Sequence, residues 1–198
     1  YKRQHFALSS TSPWLTIEFQ GGEPTANWEV LTHIVHTARQ ENQRRGKELS
    51  FSLVTNFSLM TEDRMHWLIN NRVQVCTSLD GPEKLHNAIR LFRDGNSYQN
   101  VVNWVQRFNE AYEEMGLDPT LYRIEALPTI TRDSLEQPKA IVDTFTEVGC
   151  RAIFLRKLDP FGFAQKTRRR LGYSIDQFLD FYGEALDYII SQNLAGVE

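Results

Sequence analysis

IEFQGGEP, at residues 17–24, decides the fold: a short apolar strand runs into two glycines, and a carboxylate follows at once. Two glycines let the backbone turn sharply and approach a ligand closely. The Glu23 carboxylate only accepts hydrogen bonds, so it suits a group that carries positive charge or donor hydrogens. This order of residues is typical of an amine held at the carboxyl end of a strand, although a plain turn has the same pattern.

A strand-then-helix alternation repeats along the chain. Short runs rich in branched and aromatic residues, as in strands covered on both faces, lie at residues 15–20, 49–55, 73–79, 122–130 and 151–158. Helical patterns occupy 27–45 and 98–115, Thr61 opens a short helix, and a capping box of Ser174 and Gln177 opens the last one. Five strand–helix units predict an α/β fold with a parallel sheet, either wound on both faces or curled toward a barrel.

In both architectures ligands bind at the carboxyl ends of the strands. The residues that follow the five predicted strands are Gly21, Gly22 and Glu23, then Thr55 and Asn56, then Ser78 and Asp80, then Thr129 and Thr131, and finally residues 157–163. This rim is polar and rich in turns. For any single member, a strand-end cap or a solvated turn is the ordinary role.

The segment after the third predicted strand contains many polar and charged residues. Residues 78–98, SLDGPEKLHNAIRLFRDGNSY, predict one long connection, and such a connection inside a compact unit is more often a ligand loop than filler. Arg90 offers a planar fork for a carboxylate, and Ser78 offers a hydroxyl for the same group. The alternative is that Asp80, Arg90 and Arg93 pair among themselves on the surface.

Composition limits the class of protein. A chain of 198 residues with 41% hydrophobic content can bury one sizeable core, and a net charge of −3 argues against nucleic acid or an anionic membrane as the main partner. No apolar run approaches the roughly 18 residues of a membrane span, and the amino end lacks a signal-peptide core, so we expect a soluble, cytoplasmic protein. The two cysteines, Cys76 and Cys150, predict buried thiols in a reducing compartment.

Four segments, in this order and at these separations, resemble the radical S-adenosylmethionine enzymes of the SPASM branch, which include the anaerobic sulfatase-maturating enzymes. They are IEFQGGEP, LVTNFSLM at 53–60, TSLDGPEKLHNAIRLFRDGNSY at 77–98 and ALPTITRDSL at 126–135. Two more segments, at 154–173 and 178–198, look like the radical maturase of the His-Xaa-Ser peptide system, its B component. The resemblance covers nearly the whole chain from about Pro13 onward.

The resemblance implies S-adenosylmethionine as cofactor and a peptide or small protein as substrate. In the family, the cofactor is cleaved to a 5′-deoxyadenosyl radical that abstracts hydrogen from the substrate, while protein groups hold and orient it. The family's Gly-Gly-Glu stretch binds the methionyl amino group, which places Gly21, Gly22 and Glu23 there. Ser78 and Arg90 match positions near the methionyl carboxylate and the ribose.

The remaining positions match the family less completely. Thr55 and Asn56 fall at the family's Thr-Asn-Gly stretch, but Phe57 replaces the glycine that would allow close backbone approach. Thr129 and Thr131 lie where the family closes on the adenosyl moiety. The resemblance assigns no catalytic residue and no metal ligand in this chain.

The family's Cys-x-x-x-Cys-x-x-Cys loop, which carries a four-iron four-sulfur cluster, does not occur in this sequence. The resemblance therefore implies that residues 1–198 are a radical S-adenosylmethionine core-domain fragment, in which residues 1–8 end a truncated first helix. The cluster and the SPASM region would belong to the full-length parent, and the fragment would be inactive. We expect a partial (β/α)6 TIM-like barrel without its first strand, whose open sheet edge invites self-association.

A second hypothesis is a non-catalytic, barrel-like module that binds a peptide along its strand-end rim. The missing cluster cysteines favour this alternative. The joint presence of Glu23, Ser78 and Arg90 favours the enzyme, because a peptide binder has no need of an amino-acid cradle. The basic run at residues 166–170, KTRRR, could attract an acidic peptide or could simply be solvated.

Overall fold

Residues 9–91, 95–159 and 163–197 are described by the computed structural model of the chain. The chain divides into two units, Tyr1–Cys76 and Thr77–Glu198. Three sequence predictions fall outside the described residues: the helix end at residues 1–8, the side chain of Arg93, and residues 160–162 of the last predicted rim.

The first unit alternates strands and helices, as the sequence predicts. Its described elements are β1 (Trp14–Phe19), a 3-10 helix (Pro24–Asn27), α1 (Trp28–Asn42), β2 (Glu48–Thr55), α2 (Glu62–Asn70) and β3 (Val73–Thr77), the last residue of which belongs to the second unit. β2 lies between β1 and β3. β1 and β2 are parallel, with Trp14 opposite Glu48 and Phe19 opposite Leu53.

Apolar residues at helical and strand spacing form the core of this unit. Leu31, Val35 and Ala38 lie on one face of α1 and are buried, and Phe51 and Leu53 are buried residues of β2. The helix predicted from the pattern at residues 27–45 is thereby confirmed, with these three positions on its buried face. α2 begins after Thr61, whose Oγ1 accepts the Arg64 N–H at 3.3 Å, so the predicted cap is also confirmed.

The second unit contains shorter strands and longer helices. Its described elements are α3 (Glu83–Ile89), α4 (Ser97–Glu114), β4 (Glu125–Ala126), β5 (Thr129–Ile130), a 3-10 helix (Arg132–Ser134), α5 (Pro138–Val148), β6 (Arg156–Lys157), α6 (Phe163–Leu171) and α7 (Ile175–Leu194). β5 and β6 pair in parallel, and α5 packs against α7. The predicted capping box of Ser174 and Gln177 opens α7.

The sequence predictions for the fourth and fifth strands and for the long connection were wrong in extent. Residues 122–130 form two strands of two residues each, interrupted at Pro128, which has no N–H to donate to a ladder. Residues 151–158 retain only β6 and a parallel bridge between Ala126 and Ile153. The connection at residues 78–98 contains α3 and is therefore not one continuous loop.

Both cysteines carry free thiols. Cys76 is a buried residue of β3, as predicted, whereas Cys150 is half-buried and follows the left-handed Gly149 that ends α5. Burial raises the pKa of the Cys150 thiol to about 12, so it stays protonated at neutral pH. Among the described residues, the helices are too short or too polar to cross a bilayer.

Tyr112 provides a test of the second unit's core. Its ring lies against Phe108 and Tyr122 and is buried, yet its hydroxyl finds no hydrogen-bond partner among the described residues. We expect Tyr112→Phe to raise the free energy of unfolding by about 1 kcal/mol, because it removes a buried hydroxyl that is not hydrogen-bonded. Urea denaturation measures the change. Tyr188→Phe is the control: its hydroxyl donates to Asp143 at 2.7 Å, so this variant should gain nothing. A lower denaturation midpoint for Tyr112→Phe would contradict the expectation.

Candidate cofactor site

Glu23 is the centre of a hydrogen-bonded group in the first unit. Its Oε1 accepts the Thr25 N–H at 3.0 Å, the Thr25 hydroxyl at 2.5 Å and the Thr55 hydroxyl at 2.9 Å. Its Oε2 accepts the Asn56 N–H at 2.8 Å. We call Glu23, Thr25, Thr55 and Asn56 the Glu23 cluster. Because these bonds come from both β2 and the 3-10 helix, they fix the carboxylate at the carboxyl ends of β1 and β2.

The two oxygens of Glu23 differ in what they can still accept. A carboxylate oxygen has about two lone-pair sites, so Oε1, with three donors, is saturated. Oε2 holds one donor and keeps acceptor capacity. The residue is half-buried, so a donor from outside the protein can reach it. Of the two oxygens, Oε2 is therefore the one with capacity for a further donor.

The two glycines before Glu23 are not required by packing. Gly21 has φ 143°, a conformation that favours glycine, whereas Gly22 does not have a positive φ. A Cβ at either position would meet no atom within 4 Å. The space above this backbone is open, as the approach of a ligand requires.

Phe57 replaces the glycine that the family resemblance calls for, yet it adopts a conformation typical of glycine. Its φ is 58°, and its ring is buried at 1% exposure. Its N–H donates to the Thr55 hydroxyl at 3.1 Å, and Asn56 closes the turn by accepting the Ser58 N–H at 2.8 Å. The substitution therefore leaves the left-handed turn after β2 in place.

Asp80 is the centre of a second group, in the second unit. It is fully buried, and its oxygens accept Nε and Nη2 of Arg90 and, at 2.9 Å, the Thr129 N–H. The Asp80 N–H donates to Nδ1 of His86 at 3.2 Å, and Nε2 of His86 lies 3.0 Å from the Ser97 hydroxyl. We call Asp80, His86, Arg90, Ser97 and Thr129 the Asp80 cluster.

His86 is neutral in this arrangement. Its Nδ1 accepts a backbone N–H, so its hydrogen resides on Nε2, which donates to Ser97. Burial lowers the pKa of His86 to about 4, and Arg90 adds to this lowering while Asp80 opposes it. The positive charge that balances buried Asp80 is therefore the guanidinium of Arg90.

The structure divides the predicted site residues between the two units. Gly21, Gly22, Glu23, Thr55 and Asn56 come together in the first. In the second, Arg90 and Thr129 meet at Asp80: the alternative pairing of Asp80 with Arg90 is present, but Asp80 is buried instead of lying on the surface.

Ser78 is the most available predicted residue of the second unit. It is half-buried, and its hydroxyl has no hydrogen bond within the described residues. Arg90 keeps only Nη1 without a partner there, because Nε and Nη2 serve Asp80. Thr129 uses its backbone N–H, and its side chain contributes nothing to the Asp80 cluster.

His86 and Ser97 were not predicted as site residues, and Asp80 was predicted only as a rim residue or as a surface partner of Arg90 and Arg93. All three lie within residues 78–98, but nothing in their spacing indicates that α3 folds back to bring them together. Across the described parts of the chain, no group of three or more His, Cys, Asp or Glu side chains could hold a metal ion. The described residues therefore do not fit an iron–sulfur cluster.

Comparison with curated proteins finds similarity to a radical SAM enzyme and to anaerobic sulfatase-maturating enzymes, while no protein-family model matches the chain. It is 28% identical over 117 residues to the radical SAM cyclopropyl synthase TigE of Paramaledivibacter caminithermalis, a match that covers 59% of this chain and 24% of that protein. It is 25% identical over 193 residues to a cysteine-type anaerobic sulfatase-maturating enzyme of Clostridium perfringens, covering 96% of this chain and 49% of that enzyme. The chain thus spans about half or less of the length of these relatives.

Solved structures share the fold. Native anSMEcpe with bound AdoMet and Kp18Cys peptide matches with a TM-score of 0.78 and 22% identity, covering 96% of this chain and 51% of that chain. Native anSMEcpe with bound AdoMet matches with a TM-score of 0.76 and 20% identity, covering 99% of this chain and 51% of that chain. The α/β fold with a parallel sheet therefore matches about half of the anSMEcpe structures.

The buried imidazole of His86 makes stability depend on pH. In the unfolded chain His86 takes up a proton below about pH 6.5, whereas in the folded chain it does so only near pH 4. The neutral imidazole of His86 contributes a constant amount to the free energy of unfolding above pH 6.5. We expect about 3 kcal/mol of this free energy to be lost as the pH falls from 6.5 to 4.

Urea denaturation across this range measures the loss. His86→Asn keeps an acceptor for the Asp80 N–H and should flatten the pH dependence. His66→Asn, at a side chain that is 61% exposed, should leave it unchanged. An equal pH dependence in wild type and His86→Asn would contradict the assignment.

Proposed function

We propose that this chain is part of a radical SAM enzyme of the SPASM branch that binds S-adenosylmethionine and acts on a peptide or small protein in the cytoplasm. The observation that carries the proposal is the Glu23 cluster. It fixes a carboxylate beside open glycine backbone at the strand ends and leaves acceptor capacity on Oε2. Homology to radical SAM enzymes and the shared fold support it.

In this proposal Glu23 receives the methionyl amine on Oε2, and the backbone at Gly21 and Gly22 lets the methionyl chain approach. Thr55 and Asn56 act as positioning residues, because their donors are already directed at Glu23. The charge-assisted bond between ammonium and carboxylate supplies most of the recognition.

Ser78, Arg90 and Thr129 serve the rest of the cofactor in this proposal. The Ser78 hydroxyl and Nη1 of Arg90 are donors for the methionyl carboxylate or the ribose. Arg90 is held in place by Asp80, so it presents one amine instead of a fork. By the family resemblance, Thr129 is assigned to the adenosyl moiety.

S-adenosylmethionine supplies the reactive group when bound, and the residues of this chain bind and orient it. The iron–sulfur cluster of the family needs ligands that the described residues do not offer. In the proposal the cluster belongs to a longer parent, of which residues 1–198 form a core-domain part arranged as a partial (β/α)6 barrel, and this part alone is inactive.

A peptide substrate and self-association also form part of the proposal. The peptide substrate is supported by the Kp18Cys peptide in the anSMEcpe structure and by the likeness of residues 154–173 and 178–198 to the His-Xaa-Ser maturase. Self-association is supported by β1, which pairs with β2 and has no second partner strand among the described residues.

The lack of cluster ligands also favours a non-catalytic peptide-binding module. Calorimetric titration of the chain with S-adenosylmethionine separates the two functions, because only the enzyme needs that cofactor. Saturable binding supports the enzyme. If the chain does not bind S-adenosylmethionine at millimolar concentration, the enzyme proposal is overturned and the peptide-binding module remains.

Glu23→Gln tests the carboxylate. We expect cofactor affinity to fall by about 1.5–3 kcal/mol, because a charge-assisted hydrogen bond is lost. Glu18→Gln makes the same charge change at an exposed residue of β1 and should bind as wild type does. Equal losses in both variants would mean that Glu23 is not the amine acceptor.

Gly22→Ala tests the open backbone. The added methyl group meets no protein atom within 4 Å, so we expect the urea midpoint to stay close to that of wild type. Cofactor affinity should nevertheless fall about tenfold or more, because the methyl group occupies the ligand's approach. Gly183→Ala, another glycine with open space around it, should bind as wild type does. Unchanged affinity in Gly22→Ala would place the cofactor elsewhere.

A further inference from the structure

A polar groove in the second unit shares no lining residue with the Glu23 and Asp80 clusters. It encloses about 560 Å³ between the 3-10 helix at Arg132–Ser134, α6 and the start of α7. The cations that line it are Arg132 and Arg169, and its other lining residues are Gln165, Gly172, Tyr173, Ser174 and Gln177. No carboxylate is among these lining residues.

The walls of the groove are fixed by hydrogen bonds. Nε of Arg132 donates to the Gly172 carbonyl at 2.9 Å, which orients the guanidinium and leaves its two terminal amines without partners among the described residues. The Tyr173 hydroxyl donates to the Ile130 carbonyl at 3.0 Å and accepts the Leu158 N–H at 2.8 Å. Hydrogen bonds therefore fix the walls of the groove and the orientation of Arg132, whose terminal amines can still donate hydrogen bonds to a ligand.

Positive charge is concentrated in the stretch of sequence that supplies α6, one wall of this groove. Arg169 and Arg170 are exposed residues of α6, and no ion pair joins either to a described carboxylate. Residues 156–170 contain six Lys or Arg and one Asp, in a chain whose net charge is −3. That Asp, Asp159, lies 3.8 Å from Lys157 and so balances a different cation.

We propose that this groove binds the carboxylate side chains of an acidic peptide segment. The inference rests on the proposed function, for which it names the class of substrate. The terminal amines of Arg132 are suited to one carboxylate, and the Arg169 guanidinium is suited to a second.

The surrounding charges limit what the groove can accept. Asp133 and Asp176 flank Arg132 and Ser174 in sequence, and α7 carries further carboxylates at Asp180, Glu184 and Asp187. An extended polyanion such as nucleic acid would meet these carboxylates beyond the groove. A short acidic segment engages the arginines without doing so.

Fluorescence anisotropy tests the inference in the absence of S-adenosylmethionine. The probe is a labelled peptide with four consecutive glutamates, and its control carries glutamines in their place. We expect the chain to bind the glutamate peptide at least about tenfold more tightly than the glutamine peptide. The affinity should fall as salt is raised, because exposed charges are screened.

Variants assign the binding to the groove. The double variant Arg132→Gln/Arg169→Gln should lose about tenfold or more in affinity for the peptide, and Arg169→Gln alone should lose part of it without breaking any described hydrogen bond. Arg44→Gln/Arg45→Gln removes the same charge from exposed residues of the first unit and should bind the peptide as wild type does.

The inference is overturned if the wild-type chain binds both peptides equally or if the two double variants lose equally. It is also overturned if a single-stranded oligonucleotide of equal charge binds more tightly than the glutamate peptide. Titration of the Arg132→Gln/Arg169→Gln variant with S-adenosylmethionine should match that of wild type. Failure of peptide binding is thereby separated from failure of cofactor binding.

Discussion

Parallel pairing of β1 with β2 is the constraint on which the first unit depends. Parallel strands bring their carboxyl ends to the same edge of a sheet, so the register that sets Phe19 opposite Leu53 also sets Glu23 beside Thr55 and Asn56. Beyond the end of β2 the backbone makes no further hydrogen bonds to a neighbouring strand, and the Glu23 carboxylate accepts the Asn56 N–H instead. A one-residue slip would send the buried face of β2 to solvent and separate Glu23 from its donors.

A buried carboxylate organises the second unit in a comparable way. Asp80 is stable in the interior only because Arg90 neutralises it and a backbone N–H from Thr129 completes its hydrogen bonding. The loop before α3, the helix end at Arg90 and the strand β5 are thereby tied to one side chain. Gly81 allows this, since at φ 134° a Cβ would lie 2.8 Å from Cγ1 of Ile141.

The sequence was sufficient to predict those helices and strands whose pattern of apolar residues is long and depends only on neighbouring residues. β1 to β3, α1, α4 and α7 follow from the spacing of apolar residues and from caps such as Ser174. The late strands could not be predicted, because β4 and β5 are two residues long and Pro128 lies between them.

For the site, residue chemistry identified Glu23 as an acceptor, but the three donors that saturate Oε1 depend on tertiary contacts. Likewise, Arg90 was expected to face a ligand, and only the fold shows that its Nε and Nη2 donate to Asp80. Phe57 shows the opposite case, in which a residue unsuited to a left-handed turn is held there by burial.

The bonds from Thr25, Asn56 and Thr129 to carboxylates have a consequence for the dynamics of the chain. The first two amides lie outside the strands, where amide protons ordinarily exchange quickly with solvent, yet each donates to a fixed carboxylate oxygen. Their exchange with deuterium is then limited by opening of the Glu23 cluster, and that of Thr129 by opening of the Asp80 cluster. The exchange rates of these three amides therefore report how often the hydrogen bonds of each cluster open.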